Sequence, residues 1–385
     1  MAKNTFVYVS GWHFKPGTGE YGISVYKFNA GSGTMELIEK VETATPFNFT
    51  FCDKERGLLY ALAECIDLPG LRGGGGGRIF VFKIDKDNGT LTKVDIAETW
   101  CPAPCYLALD ETKRFMIVSN HSGHSCVTKI GQDAFGKYYP IVEWDDAVVE
   151  LFSVQEDGTI GELLDVDKHF GSSPVQAHSH PHSAVRSPSG KLFAVCDKGN
   201  DTVSMYGIDQ ENGKIVRPKH IYVQTPGKEP RYCVFHPQKP WFYHNNENST
   251  ELDAYTYTEE GELNYMGSYP VLAEGIEMQE NILAQQDLVI DKSGRYIYNI
   301  TYGPNVITVF KVNQANGTLR PIQHKAISGK WPRGCALSPD ERFFLATCLT
   351  DGKIIVYKIG ADGQLKETGI EQPNSFAAYI TFCVT

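Results

Sequence analysis

Three histidines stand at alternate positions in Gln176-Ala-His-Ser-His-Pro-His-Ser183: His178, His180 and His182. In an extended segment the side chains at i, i+2 and i+4 leave the same face, so this spacing predicts three imidazoles pointing together. Beside a cavity such a group can move protons near neutral pH, donate to an anion or ligate a metal. Asn120-His-Ser-Gly-His124 adds His121 and His124. Arg231 in Glu229-Pro-Arg-Tyr232 and Arg333 in Trp331-Pro-Arg-Gly334 recur after a proline, and an arginine fork suits a carboxylate or phosphate. Glu64, Glu247, Asp287 and Tyr302 complete the set, at the ends of short apolar runs. Three histidines with an open water position could also hold zinc, but no carboxylate flanks them to orient the rings. The expectation is therefore no cofactor, with a divalent metal at the histidines as the lesser alternative.

These residues matter only if the elements between them bring them together. Long helical periodicity is absent; short runs of Val, Ile, Tyr, Phe and Thr alternate with Gly, Asn, Asp and Pro, an all-β signal. A repeat overlies it. Ala184–Asp197, Cys233–Asn246, Leu288–Thr301 and Ala336–Cys348 each read strand, polar turn, strand, with the turns Pro188, Pro237, Lys292 and Pro339 spaced 49, 55 and 47 residues apart. Second halves follow, as in Arg78–Leu91, Asn305–Leu319 and Gly352–Leu365, where Asn-Gly or Asp-Gly supplies a tight turn. Four strands at this period make propeller blades. Seven units fit: 5–44, 47–98, 104–168 with an insertion near 135–144, 180–224, 230–271, 285–327 and 333–370. The tail 375–385 is one more strand, expected to complete the first blade from inside and close the ring. One propeller domain spans 1–385.

In that arrangement the loop entering each inner strand and the loop leaving each second strand open at one end of the central channel. Cys105, His180, His182, Arg231, Asp287 and Arg333 occupy the first kind of loop. Glu64, His121, His124, Asp197, Asn246, Glu247 and Tyr302 occupy the second. All are expected at one mouth, the default place for a small-molecule site. Gly73–Gly77 reads as a connector between two strands of the second blade, since no Gly-Lys-Ser/Thr follows to make a phosphate loop.

The composition narrows the field. A net charge of -10 argues against nucleic acid, which needs clustered Lys and Arg. No apolar run reaches the ~18 residues that suggest a membrane span. The chain opens on a strand-like Phe6–Ser10 with no signal-type apolar segment, and most of its ten cysteines sit singly in apolar runs, so a cytoplasmic protein with reduced thiols is expected.

The motifs resemble the seven-bladed lactonase family, which includes the propeller-type 6-phosphogluconolactonases and, more remotely, the carboxy-muconate cyclases. The family's Pro-His-x-His-Ser is similar to Ser179-His-Pro-His-Ser183, its Gly-Pro-Arg to Glu229-Pro-Arg231, its Asn-Glu to Asn246-Glu247, its Ala-(Asp/Glu)-Ile to Gln286-Asp287-Leu288 and its Pro-Arg to Pro332-Arg333. The resemblance implies a hydrolase acting on a sugar lactone or related cyclic ester. His182, Arg231 and Glu247 would be catalytic; His178, His180, Arg333, Tyr302, Asp287, His121, His124 and Glu64 would contact substrate. Two alternatives stay open: a lactone-forming lyase or isomerase on a less anionic substrate, and a non-catalytic binding scaffold. One departure is informative. Where the family carries an arginine leaving the second strand of blade six, this chain has Tyr302, so a phosphorylated substrate does not follow from the resemblance.

Overall fold

The computed structural model describes residues 4–13, 21–43, 45–65, 76–173, 176–218, 221–223 and 225–385. Among them there is no helix, and seven four-stranded antiparallel units stand around a ring. The expected closure is present. Ala377–Val384 pairs antiparallel with Thr5–Gly11 and lies innermost in blade one, so the two chain ends are joined in one sheet. The inner strands of blades two to seven are Phe49–Asp53, Pro104–Leu109, Val185–Arg186, Pro230–Phe235, Ala284–Ile290 and Pro332–Leu337.

The strands form where β-branched and aromatic residues run, and both faces of the middle strands are covered. Leu58–Ala63, Phe115–Asn120, Phe193–Asp197, Trp241–Asn246 and Phe343–Cys348 are buried at every position. They open as apolar runs because each is sandwiched between neighbouring blades, and several turn polar only toward the channel end. The core is therefore a series of layers between blades. Phe6, Tyr8 and Val25 of blade one meet Leu59, Phe80 and Phe82 of blade two, and Val7, Val9 and Tyr26 meet Leu345, Ile354 and Val356 of blade seven.

A polar latch repeats across these layers. The hydroxyls of Tyr8, Tyr60, Tyr243 and Tyr298 donate to the carbonyls of Gly89, Gly158, Gly317 and Gly363, at 2.9, 2.8, 2.9 and 3.0 Å. Each acceptor is the turn glycine of the following blade. Three of them, at Gly89, Gly317 and Gly363, lie in turns that marked the repeat in the sequence, so one glycine both shapes its hairpin and locks the preceding blade.

Two details differ from expectation. The insertion in blade three is longer than 135–144: Cys126–Gln132 pairs with Tyr138–Trp144 as a separate hairpin with every residue but one exposed. Its alternating sequence reads like an ordinary blade strand, which conceals where the insertion begins. The outer strand of blade four is split, Lys214–Val216 and Ile221–Val223 both pairing with Thr202–Asp209. The glycine run falls largely outside the described residues.

Candidate active site

A corner repeats where the chain enters the inner strands. Ala103, Glu229 and Trp331 each precede a proline and take φ of 53°, 60° and 53°. A non-glycine residue there is uncommon, and it persists because its carbonyl is held. The N–H of His121 donates to the Ala103 carbonyl, Glu247 to Glu229 and Leu349 to Trp331; Lys198 donates likewise to His180, which also precedes a proline. In these four blades the first residue after the second strand is thus pinned to its own blade's corner, which brings His121, Lys198 and Glu247 to the channel end.

These positions enclose a cavity of about 460 Å³, to which all seven blades contribute. Of the residues singled out in the sequence, His182, Arg231, Glu247, Arg333, Tyr302, His121, His124 and Glu64 line it. His178, His180 and Asp287 are not on its wall. Trp12, Trp331 and Lys198 line it without having been anticipated. Lys198 follows Asp197 directly, in the register that delivers His121 and Glu247, and that register was the available signal.

The charged groups are interlocked. Glu247 accepts from Lys198 Nζ at 3.0 Å on each carboxylate oxygen and pairs with Arg231 Nε at 2.7 Å. Burial works against ionising Glu247, but Lys198 and Arg231 outweigh it and bring its pKa down to about 2. Arg231 also donates to the Gln286 carbonyl of the next blade. On the other side Arg333 lies over the Trp12 ring at 3.8 Å and 3.6 Å from Glu64 Oε2. There burial wins: the Glu64 carboxyl is pushed up from its ordinary value despite Arg333 and Arg231. Tyr302 stacks on Trp331 with ring centroids 5.1 Å apart.

The histidines form one connected cluster, in which the His178 and His180 rings also meet edge-on at 4.7 Å. Ring contacts run from His182 to His121 at 5.4 Å, His121 to His180 at 4.5 Å, His180 to His124 at 4.2 Å and His124 to His178 at 6.1 Å. His178 is turned onto Trp144, stacked at 4.7 Å, and its Nε2 donates to the Asp145 carbonyl. His182 packs edge-on against Tyr232 at 5.1 Å. Burial, followed by neighbouring cations, holds His121 and His182 well below the ordinary imidazole value; burial brings His180 down to about 4. All three are neutral at neutral pH. Asp287 has a framework position: its oxygens accept the backbone N–H of Leu288 at 2.8 Å and of Cys335, in blade seven, at 2.7 Å.

A family model described as lactonase, 7-bladed beta-propeller, matches residues 7–382. The chain belongs to that family. Relatives of this propeller lactonase family include a Formosa agariphila protein named 6-phosphogluconolactonase, 25% identical over 352 residues that span 89% of each chain. A Bacillus subtilis protein of the same name is 26% identical over 363 residues, covering 90% of this chain and 88% of its own. Among solved structures, the periplasmic gluconolactonase of Pseudomonas aeruginosa shares the fold with a TM-score of 0.82 over 99% of both chains, at 23% identity.

Proposed function

We propose that the protein hydrolyses a sugar lactone, adding water across the ring ester to give the open hydroxy acid, in the cavity lined by Arg231, Glu247, Lys198 and Glu64. The observation that carries this reading is the pair of carboxylates driven apart. Glu247 is fixed as an anion by Lys198 and Arg231, whereas burial raises the Glu64 carboxyl above its ordinary value. Carboxylates whose surroundings separate them in this way divide the labour between them.

Arg231 and Lys198 aim cationic donors at the cavity, where they polarise the lactone carbonyl and meet the charge that develops on its oxygen. Glu247 holds those two cations in place. The resemblance implied that His182 and Glu247 are catalytic; the electrostatics favour Glu64 as the group that takes the proton as water attacks the carbonyl carbon. His182, neutral and beside Arg231, Lys198 and Arg333, orients a substrate hydroxyl. Tyr302 and Trp331 offer an aromatic wall rather than an anion fork, which favours an unphosphorylated sugar. The relatives named 6-phosphogluconolactonase support the lactone class. We place the protein in the cytoplasm, where its ten cysteines would be kept reduced.

Kinetics of two isosteric variants test the division of roles. Glu64→Gln should lower kcat by about 10²-fold or more with KM little changed, the scale of a lost general base. Glu247→Gln should raise KM as well, since it releases both cations. Equal kcat for Glu64→Gln and wild type would remove Glu64 from the mechanism.

A further inference from the structure

We infer that His121, His124 and His180 form a binding site for a single zinc-class transition-metal ion at the edge of the cavity, with His121 and His124 on its wall and His180 packed behind them. One ligand atom from each of these residues can be chosen so that all lie within 4.8 Å of one another, although two come from the loop leaving the second strand of blade three and one from the loop entering blade four. Tetrahedral coordination at a Zn–N distance of about 2.05 Å puts nitrogens on the order of 3.3 Å apart, so ring rotations on the order of 1 Å close the cage.

The surroundings supply the orientation that ligating histidines require. His180 Nδ1 donates to the His121 carbonyl at 2.9 Å, which fixes the tautomer and leaves Nε2 with a free lone pair. The His180 N–H is held by Asp197 Oδ1 at 2.6 Å, so the backbone beneath the ring is fixed too. The loop bearing His124 is closed at the base of the inserted hairpin: Asp145 accepts the Gly123 N–H at 2.5 Å and donates its own N–H to Ser125 at 2.9 Å. Among the described residues the His121 and His124 rings pack against each other and against the rings of His178, His180 and His182, and both line the cavity. A carboxylate does flank the cluster, as the sequence did not suggest. Asp145 Oδ1 lies 3.2 Å from His178 Nε2 and secures the ring that closes the far side. The nearby cation, Lys198, is compensated by its two bonds to Glu247.

Three imidazole nitrogens with no oxygen donor select zinc, cobalt, nickel or copper over magnesium and calcium. The fourth position is open to a water or substrate oxygen in the cavity, the pattern of a reactive rather than a closed structural site. The inference concerns binding, and it stands or falls separately from the lactonase reading.

The test is a titration of chelator-treated full-length protein with Co²⁺, followed by Zn²⁺ competition, read by visible absorption and calorimetry. One equivalent of Co²⁺ should bind with the intense d–d bands of a low-coordinate nitrogen site, and Zn²⁺ should displace it while Mg²⁺ does not. His180→Ala should weaken binding by at least about 100-fold. His124→Ala should do the same, and because His124 is exposed its loss leaves the core intact. Wild-type protein that takes up no stoichiometric Co²⁺ or Zn²⁺, or a folded His124→Ala protein that binds as tightly as wild type, overturns the site.

Discussion

Arg333 sits between two environments, stacked on Trp12 and facing Glu64, and its charge restrains how far burial can raise that carboxyl. Removing the charge should therefore raise the Glu64 pKa further. If Glu64 must be ionised to act as base, the acid limb of kcat/KM moves to higher pH in Arg333→Met. At a fixed pH on that limb, activity falls. A pH profile measured for both proteins checks the direction; an unmoved or lowered limb would contradict it. Arg231, Glu247 and Glu64 could be found from sequence because an ionisable residue closing an apolar strand is conspicuous. Lys198 was less conspicuous, since a lysine beginning a turn is ordinary on a protein surface and only its register with His121 and Glu247 marks it. Its inward course depends on Gly199, where a Cβ would come within 2.1 Å of the His178 carbonyl; only glycine lets that turn lie so close. Trp12 and Trp331 read as core residues, and their cavity face follows from the ring geometry alone.

The blades were readable because their turns and apolar runs recur, but the contacts between blades were not. The turn glycines could be assigned for their positive φ, yet nothing in the sequence tells that each receives a tyrosine hydroxyl from the preceding blade. Gly317 shows both demands: φ is 77°, and a Cβ there would lie 2.6 Å from Trp241 of blade five. Gly317→Ala should destabilise the protein by about 1–3 kcal/mol, combining left-handed strain with overpacking. Denaturant midpoints measure this; a loss below about 0.5 kcal/mol, the range of neutral surface changes, would show that the latch region yields. The histidine alternation marked the right neighbourhood. Trp144 and Asp145, at the foot of a hairpin whose start was hidden by its own alternation, hold the His178 ring from outside the cavity.

The ring as a whole sets the field in which these residues act. The chain carries ten more acidic than basic residues, yet the cavity wall holds Arg231, Arg333 and Lys198 against Glu64 and Glu247. Distant surface charge is screened beyond about 10 Å, so a substrate at the wall meets the local positive excess. Closure by Ala377–Val384 keeps those groups, drawn from separate blades, in one rigid arrangement. Ring closure was foreseeable because blade one lacked an inner strand of its own. The central claim is that this arrangement opens lactones. A pH-stat assay of acid release across sugar lactones, phosphorylated and not, with Arg231→Ala as control, tests it most directly. Turnover by the wild type, greater on unphosphorylated lactones and reduced about 10²–10³-fold in the variant, is the predicted result. Acid release no faster than spontaneous hydrolysis across the whole panel, or equal rates for the two proteins, would contradict it.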